Sequence, residues 1–510
     1  MEEEPTVTVN VHTEREVVPA LNTLRHSAQV CSTWRNLILD SPSLWGRVID
    51  LDCLHQDDWR REVLHRTGSS DLFIRYKGLC KLPSTTVISI LAENWERVRS
   101  LDLDFHKNDP KATDASAFYN NSGLWNILKR PSNILESFRL FLQAREPQLS
   151  TQHSKTILSP PGFVIFNNHA PSLIKIFAPN INLNLHASWV SHIRHLSLNM
   201  PTPVDKLLEA LTHMPLLDTL DDGESYQVIV PGGAKRTDKV ALPQLKHIIL
   251  SSDSNISPYL AFLSQIEPLD RRFLSFSHVG QHPSYPQPDT QDMAAASAIL
   301  ADYSRQAPLS VSTKVALFFL RERFRFCATL PSGRSFTFNL RHYSDPITEL
   351  WSALDLPDFP NVHTANLILQ TEFGVHPSDP KFGKFITSLL SKINTLHTTP
   401  ESIGFLLRVP EDLLKAAFPV LREIVFSNWG RADDVSEPHR FLVIRKAMGR
   451  PIPTISVRKP GMGRLWMRSL EEITGLKVVV FAEGHRKEYI CGSGSPEALD
   501  WGYGHCYEGW

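Results

Sequence analysis

With 510 residues, 42% of them hydrophobic and 21% charged, the chain has ample material for a core and for more than one domain. Its 53 Lys and Arg balance 54 Asp and Glu, so no net field steers the whole molecule toward nucleic acid or an anionic membrane. Six Cys without a Cys-x-x-Cys pair read as reduced intracellular thiols rather than a disulfide framework, so the sequons at Asn120 and Asn255 carry no weight. The acidic start lacks the basic and apolar regions of a secretory signal. The longest apolar runs, such as Val315 to Leu320, are far too short to span a bilayer. The expected address is cytoplasmic, nuclear or both, with no nucleic-acid or membrane partner.

Residues 1–19 hold few large apolar side chains and are expected to be disordered. From there Leu21, Leu24 and Ala28, then Val30, Cys31, Trp34, Leu37 and Ile38, recur at helical steps of three and four. Asp40-Ser41-Pro42 breaks the pattern, and Leu44, Trp45 and Val48 form a second small apolar set. Two Trp in so short a stretch bring more apolar area than it can bury by itself, so part of that surface should meet a partner or the next domain. Residues 56–97 read as a linking helix, strand and helix. Trp59, Val63 and Leu64 mark the first helix, which Gly68-Ser69-Ser70 ends. Leu72 to Tyr76 has strand character, and Val87, Ile88, Leu91, Trp95 and Val98 share one face of an amphipathic helix.

From Val98 a pattern repeats: apolar-x-x-apolar-x-apolar. It occurs at 98–103, 135–140, 173–178, 193–198, 245–250, 362–367, 421–426 and 476–481, with weaker copies at Leu217 and Ile393. Pro171, Pro215, Pro243, Pro360 and Pro419 each stand two positions ahead of a copy, which suits a strand's entrance. Helical stripes lie between many copies, such as Val204, Leu207, Leu208 and Leu211, or Ile386, Leu389, Leu390 and Ile393. A strand and a helix per unit, stacked so that neighbours cover each other's apolar face, is the logic of a repeat array. The early spacings are irregular, at 37, 38, 20, 24 and 28 residues. An interruption near 270–345 holds an exposed loop at 281–288 and a helix at 293–303. It also holds a hairpin in which Phe324, Phe326, Ala328 and Leu330 alternate against Phe336, Phe338 and Leu340 across Pro331-Ser332-Gly333-Arg334.

The wording Val30-Cys31-x-x-Trp34-Arg35, then Asp40-Ser41-Pro42-Ser43-Leu44-Trp45, closely resembles the second half of an F-box. Asp58 to Ser69 is similar to its usual continuation. The Leu-Pro-x-Glu helix that opens such motifs has no counterpart in Met1 to Pro19, so that first helix is expected to be degenerate or to precede the chain as given. The resemblance implies a Skp-type adaptor as partner and, through it, a cullin ubiquitin ligase. The adaptor-binding candidates are Leu21, Leu24, Val30, Cys31, Trp34, Leu37, Leu44 and Trp45, with Leu24 and Trp34 foremost; alternatively the same residues pack the N-terminal cap of the array. The array itself resembles the diverged leucine-rich repeats that follow many F-boxes, which would present an unknown protein substrate.

The implied fold class is α/β (α+β): a short helical F-box-like segment over 20–55, then an irregular leucine-rich-repeat-like solenoid over 98–483 and a Gly/aromatic tail over 484–510. Candidate chemistry elsewhere is sparse. His186, His192 and His195 read as surface histidines, and His485, Cys491, His505 and Cys506 are ligand types without a metal-site spacing. Asp221-Asp222 and Asp433-Asp434 read as polar turns and Glu471-Glu472 as a helical surface. There is no Gly-x-Ser-x-Gly elbow and no phosphate loop, and Gly461-Met462-Gly463 and Gly492-Ser493-Gly494 open no clear helix. No metal, cofactor or catalytic residue is expected.

Overall fold

The computed structural model describes residues 20–78, 82–105, 122–142, 159–178, 181–197, 202–222, 229–230, 239–252, 255–268, 272–278, 288–320, 323–341, 348–354, 359–369, 376–426, 436–458, 465–482 and 485–501. The expectations for 1–19, most of the 281–288 loop, Asp433-Asp434, Gly461 to Gly463, His505 and Cys506 lie outside the described residues. The chain is a mixed α/β structure in two compact units, Met1–Met200 with His213–Leu217 and Pro201–Thr212 with Asp218–Trp510.

The first unit opens with three short helices, α1 (Ala20–Ser27), α2 (Ser32–Leu39) and α3 (Pro42–Gly46). Strand β1 (Ile49–Asp50), helix α4 (Asp57–Arg66), β2 (Leu72–Tyr76), helix α5 (Ser84–Asn94) and β3 (Val98–Asp104) follow. Then come β4 (Ser137–Phe141), β5 (Lys175–Phe177) and β6 (His195–Ser197). Each strand from β1 to β6 pairs in parallel with the next. Parallel neighbours need a crossover, which α4, α5 and the helix Ser122–Leu128 supply first. Short 3-10 turns at Ile165–Asn168 and Ser188–His192 serve later. Alternate residues are buried: Leu72, Ile74 and Tyr76 in β2, Leu101 and Leu103 in β3, Phe138 and Leu140 in β4. Trp95 stacks on Phe166 at 6.2 Å, and Phe138 meets the same ring edge-on at 5.1 Å. That packing holds Phe166 in a left-handed backbone (φ 53°), which an L side chain tolerates only where its surroundings fix it.

In the second unit β7 (Thr202–Pro203) pairs with β9 (Ile229–Val230). The main sheet comprises β8 (Thr219–Asp221), β10 (His247–Ser252), β11 (Phe273–His278), β12 (Lys314–Leu320), β13 (Arg323–Thr329), β14 (Ser335–Arg341), β15 (Thr364–Leu369), β16 (Thr395–Thr398), β17 (Glu423–Phe426), β18 (Thr454–Arg458), β20 (Lys477–Ala482) and β21 (His485–Ile490). Between β18 and β20, β19 (Leu465–Trp466) pairs instead with β22 (Asp500–Trp501). The main sheet runs β8–β10–β11–β14–β13–β12–β15–β16–β17–β18–β20–β21. All neighbours are parallel except around β13 and between β20 and β21. The hairpin at Pro331 to Arg334 joins β13 to β14, and β12 adds a third antiparallel strand that the sequence pattern does not separate from its surroundings. Because β14 meets β11 and β12 meets β15, the meander lies within the sheet rather than beside it.

The five prolines before the strands do more than mark an entrance. Each is the second residue of a four-residue turn closed by the N–H of the apolar residue two positions on. The bonds run from Leu173 to Ala170 (3.1 Å), Leu217 to Met214 (3.2 Å), Leu245 to Leu242 (3.1 Å), Val362 to Phe359 (3.4 Å) and Leu421 to Phe418 (3.3 Å). Pro presets φ for that turn position and needs no N–H there.

Candidate functional site

Local chemistry shapes the N-terminal helices. Cys31, extended at φ −156°, caps α2, its Sγ accepting from the Trp34 N–H at 3.5 Å. Pro42 opens α3, where its missing N–H costs nothing. Ser41 Oγ donates to the Leu37 carbonyl at 2.6 Å, joining the two helices. A Cβ at Gly46 would run into the Asp71 carbonyl, so α3 seats closely on the start of β2.

Burial divides the eight sequence candidates into two groups. Leu21 and Trp45 are each 1% exposed, and their neighbour Ile38 is buried too. The Trp45 Nε1 donates to the Ile38 carbonyl at 2.8 Å. Its ring meets Trp59 edge-on at 6.3 Å, and the Arg66 guanidinium lies 4.8 Å from its centre. Leu24 is half-buried. By contrast Val30 is 72% exposed, Trp34 54%, Leu37 65% and Leu44 39%, and Cys31 is exposed as well. Trp34 and Leu37 stand one turn apart on α2 and are both exposed, although Trp34 lies one turn before the buried Ile38. The helices are therefore anchored by one set of apolar residues and present another to solvent. In the native protein Cys31 should alkylate well before Cys491, which is 1% exposed and whose thiol burial pushes up to about 11. Timed iodoacetamide labelling read by peptide mass spectrometry checks this, and equal rates would contradict it.

The other candidates have ordinary partners. His186 and His192 are exposed. Among the described residues no group of three or more His, Cys, Asp or Glu is placed to hold a metal ion. Asp222, expected in a polar turn, is buried at the end of β8, where its carboxylate accepts from the Ser251 N–H. Gly492-Ser493-Gly494 cradles an anion from its own chain. The Gly494 N–H donates to Glu471 at 3.1 Å, and the Tyr489 hydroxyl donates to the same carboxylate at 2.9 Å. Sequence reasoning overlooked two buried arginines. Arg272 donates to the carbonyls of Leu245 (3.0 Å), Leu242 (2.8 Å) and Glu267 (2.5 Å). Arg445 donates to those of Ala417 (3.3 Å) and Phe418 (2.7 Å). No helix among the described residues is long and apolar enough to cross a membrane.

No protein family and no curated protein matches the chain. A solved structural-genomics target from Bacteroides fragilis aligns with 77% of this chain and 75% of its own at 10% identity. Its TM-score of 0.21 is too low to bear on fold or function.

Proposed function

We propose that the chain is the substrate-recognition subunit of a Skp–cullin–F-box ubiquitin ligase. Its N-terminal helices dock a Skp-type adaptor through Val30, Trp34, Leu37 and Leu44, and its strand-rich remainder, read as a diverged leucine-rich-repeat domain, holds a protein substrate. The observation that carries this reading is the exposure of Trp34 (54%) and Leu37 (65%) together on α2, beside a well-anchored Trp45. Such side chains lose most when left in water and gain most at an interface, about 1.5–3 kcal/mol each on full burial. In this reading Leu21 and Trp45 support the docking face and do not touch the adaptor. The chain contributes proximity between target and charged enzyme rather than bond chemistry of its own.

The second reading is a non-ligase interaction scaffold with a degenerate F-box, favoured by the burial of Leu21, Ile38 and Trp45, which pack the N-terminal helices without any adaptor. Co-purification with the adaptor separates the two. Trp34→Ala should weaken adaptor binding by about 30-fold or more, the loss typical of an aromatic anchor, while leaving the thermal midpoint nearly unchanged. Undiminished binding by this variant, measured by titration calorimetry, would remove α2 from the interface.

A further inference from the structure

In the second unit the strands from β12 to β20 bury one face fully; the other face is also covered at Val425, Ser456 and Val479, and beside them cations gather around one aromatic ring. Phe481 of β20 is in register with Arg458 of β18 and Arg486 of β21, and both guanidinium carbons lie 5.8 Å from its centre. Arg486 is paired with Glu488, whereas Arg458 is exposed and has no carboxylate partner among the described residues. Alongside runs a cleft of about 550 Å³ whose charged lining is Arg422, Lys477, Arg486 and Glu423. Lys477 is paired with Glu488 at 2.7 Å, and the Glu423 carboxylate accepts from Ser456 Oγ at 2.5 Å. Arg422 is exposed and, like Arg458, has no carboxylate partner among the described residues. Further along the same face Arg325 lies 5.4 Å from the Phe318 ring, with its Nε buried and without a hydrogen-bond partner.

His397 of β16 stands on the same face, in register with Val425. Burial first, and then Arg458 and Lys314, hold its pKa below the usual imidazole value, against the opposing pull of Glu423. Cations standing beside half-buried aromatic rings, and outnumbering the carboxylates among the described residues of this face, form a surface complementary to carboxylates.

We propose, building on the receptor reading, that this strand face is the substrate-docking surface and that it takes an extended acidic segment of a protein, its carboxylates engaging Arg422 and Arg458 and its chain lying over Phe481. Nucleic acid fits less well. Glu423 and Glu488 stand among the cations and the whole chain carries a net charge of −1, whereas a phosphate backbone calls for an unbroken basic track.

The test is fluorescence anisotropy of the full chain with a short fluorescein-labelled Glu-rich peptide, its Gln counterpart, and a labelled single-stranded oligonucleotide. The Glu peptide should bind, the Gln peptide about tenfold more weakly or worse, and added salt should weaken the former. Arg422→Glu with Arg458→Glu should cut affinity about tenfold or more, Arg458→Gln should give a smaller loss, and Lys384→Glu, an exposed charge on the helix Pro380–Leu389, should leave it unchanged. All three positions are exposed, so melting curves should coincide. Equal binding of the Gln peptide, tighter binding of the oligonucleotide, or undiminished binding by the double variant would each overturn the proposal. Adaptor co-elution and Glu-peptide binding of the wild-type chain separate the two levels. Co-elution without peptide binding refutes only the acidic substrate, and peptide binding without co-elution refutes only the ligase.

Discussion

Trp45→Ala is expected to destabilise the first unit by about 3–5 kcal/mol, the usual loss when a buried Trp is truncated and its surroundings cannot collapse. The side chain is 1% exposed, so nearly its whole area returns to cavity or water. The Ile38 carbonyl loses its donor at 2.8 Å, and Trp59 and Arg66 lose the ring between them. On the receptor reading, adaptor capture should fall with stability too, because α3 also carries Leu44. A thermal melt alongside Trp34→Ala makes the contrast: two Trp eleven positions apart, one expected to govern folding and the other binding. A melt of Trp45→Ala that matches the wild type would contradict the anchoring described for α3.

Arg272→Leu should rank next, destabilising the second unit by about 2–4 kcal/mol. Two effects oppose each other. Burial pushes the Arg272 pKa down, meaning that keeping a charge at a site 1% exposed costs free energy, and Leu removes that cost. Against this, the carbonyls of Leu242, Leu245 and Glu267 all lose their donor at once. Unsatisfied buried acceptors cost about 1–3 kcal/mol each, so the second effect wins. Tyr303, whose hydroxyl donates to the Leu263 carbonyl at 3.4 Å and whose pKa burial pushes up to about 12, stays protonated at ordinary pH. A fall in the urea midpoint checks the sign, and an unchanged or raised midpoint would show that desolvation dominates instead.

Many of the strands were readable in the sequence, since an apolar triplet, at five places with a Pro-led turn before it, marks them. Leu245 to Leu250 and Leu421 to Phe426 lie on β10 and β17, and the bonded turns explain why Pro243 and Pro419 precede them. Ile452-Pro453-Thr454-Ile455-Ser456-Val457 carries the same pattern and forms β18, but its proline stands inside the triplet and hides it. Phe273 to Phe276 of β11 fits half of the pattern, with the buried polar His278 where an apolar residue is expected. Helical spacing likewise groups Val30, Trp34, Leu37 and Ile38 without saying which of them is covered. Ile38 meets Trp45 of α3, which Trp59 and Arg66 cover in turn, and only the packed structure separates Trp45 from Trp34. Arg272 and Arg445 were illegible for a similar reason: arginine is usually a surface residue, and only assembled turns create the carbonyls that justify burying it. The cationic face around Phe481 arises from register across β18, β20 and β21, which no linear window reveals.

The most direct measurement is co-expression of the full chain with a Skp-type adaptor, followed by size exclusion, with Trp34→Ala run beside it. The receptor reading predicts a single co-eluting complex for the wild type, lost in a Trp34→Ala variant that melts at the same temperature. A folded wild-type protein that elutes alone, with the adaptor in its own peak, would contradict it and leave the scaffold reading in its place.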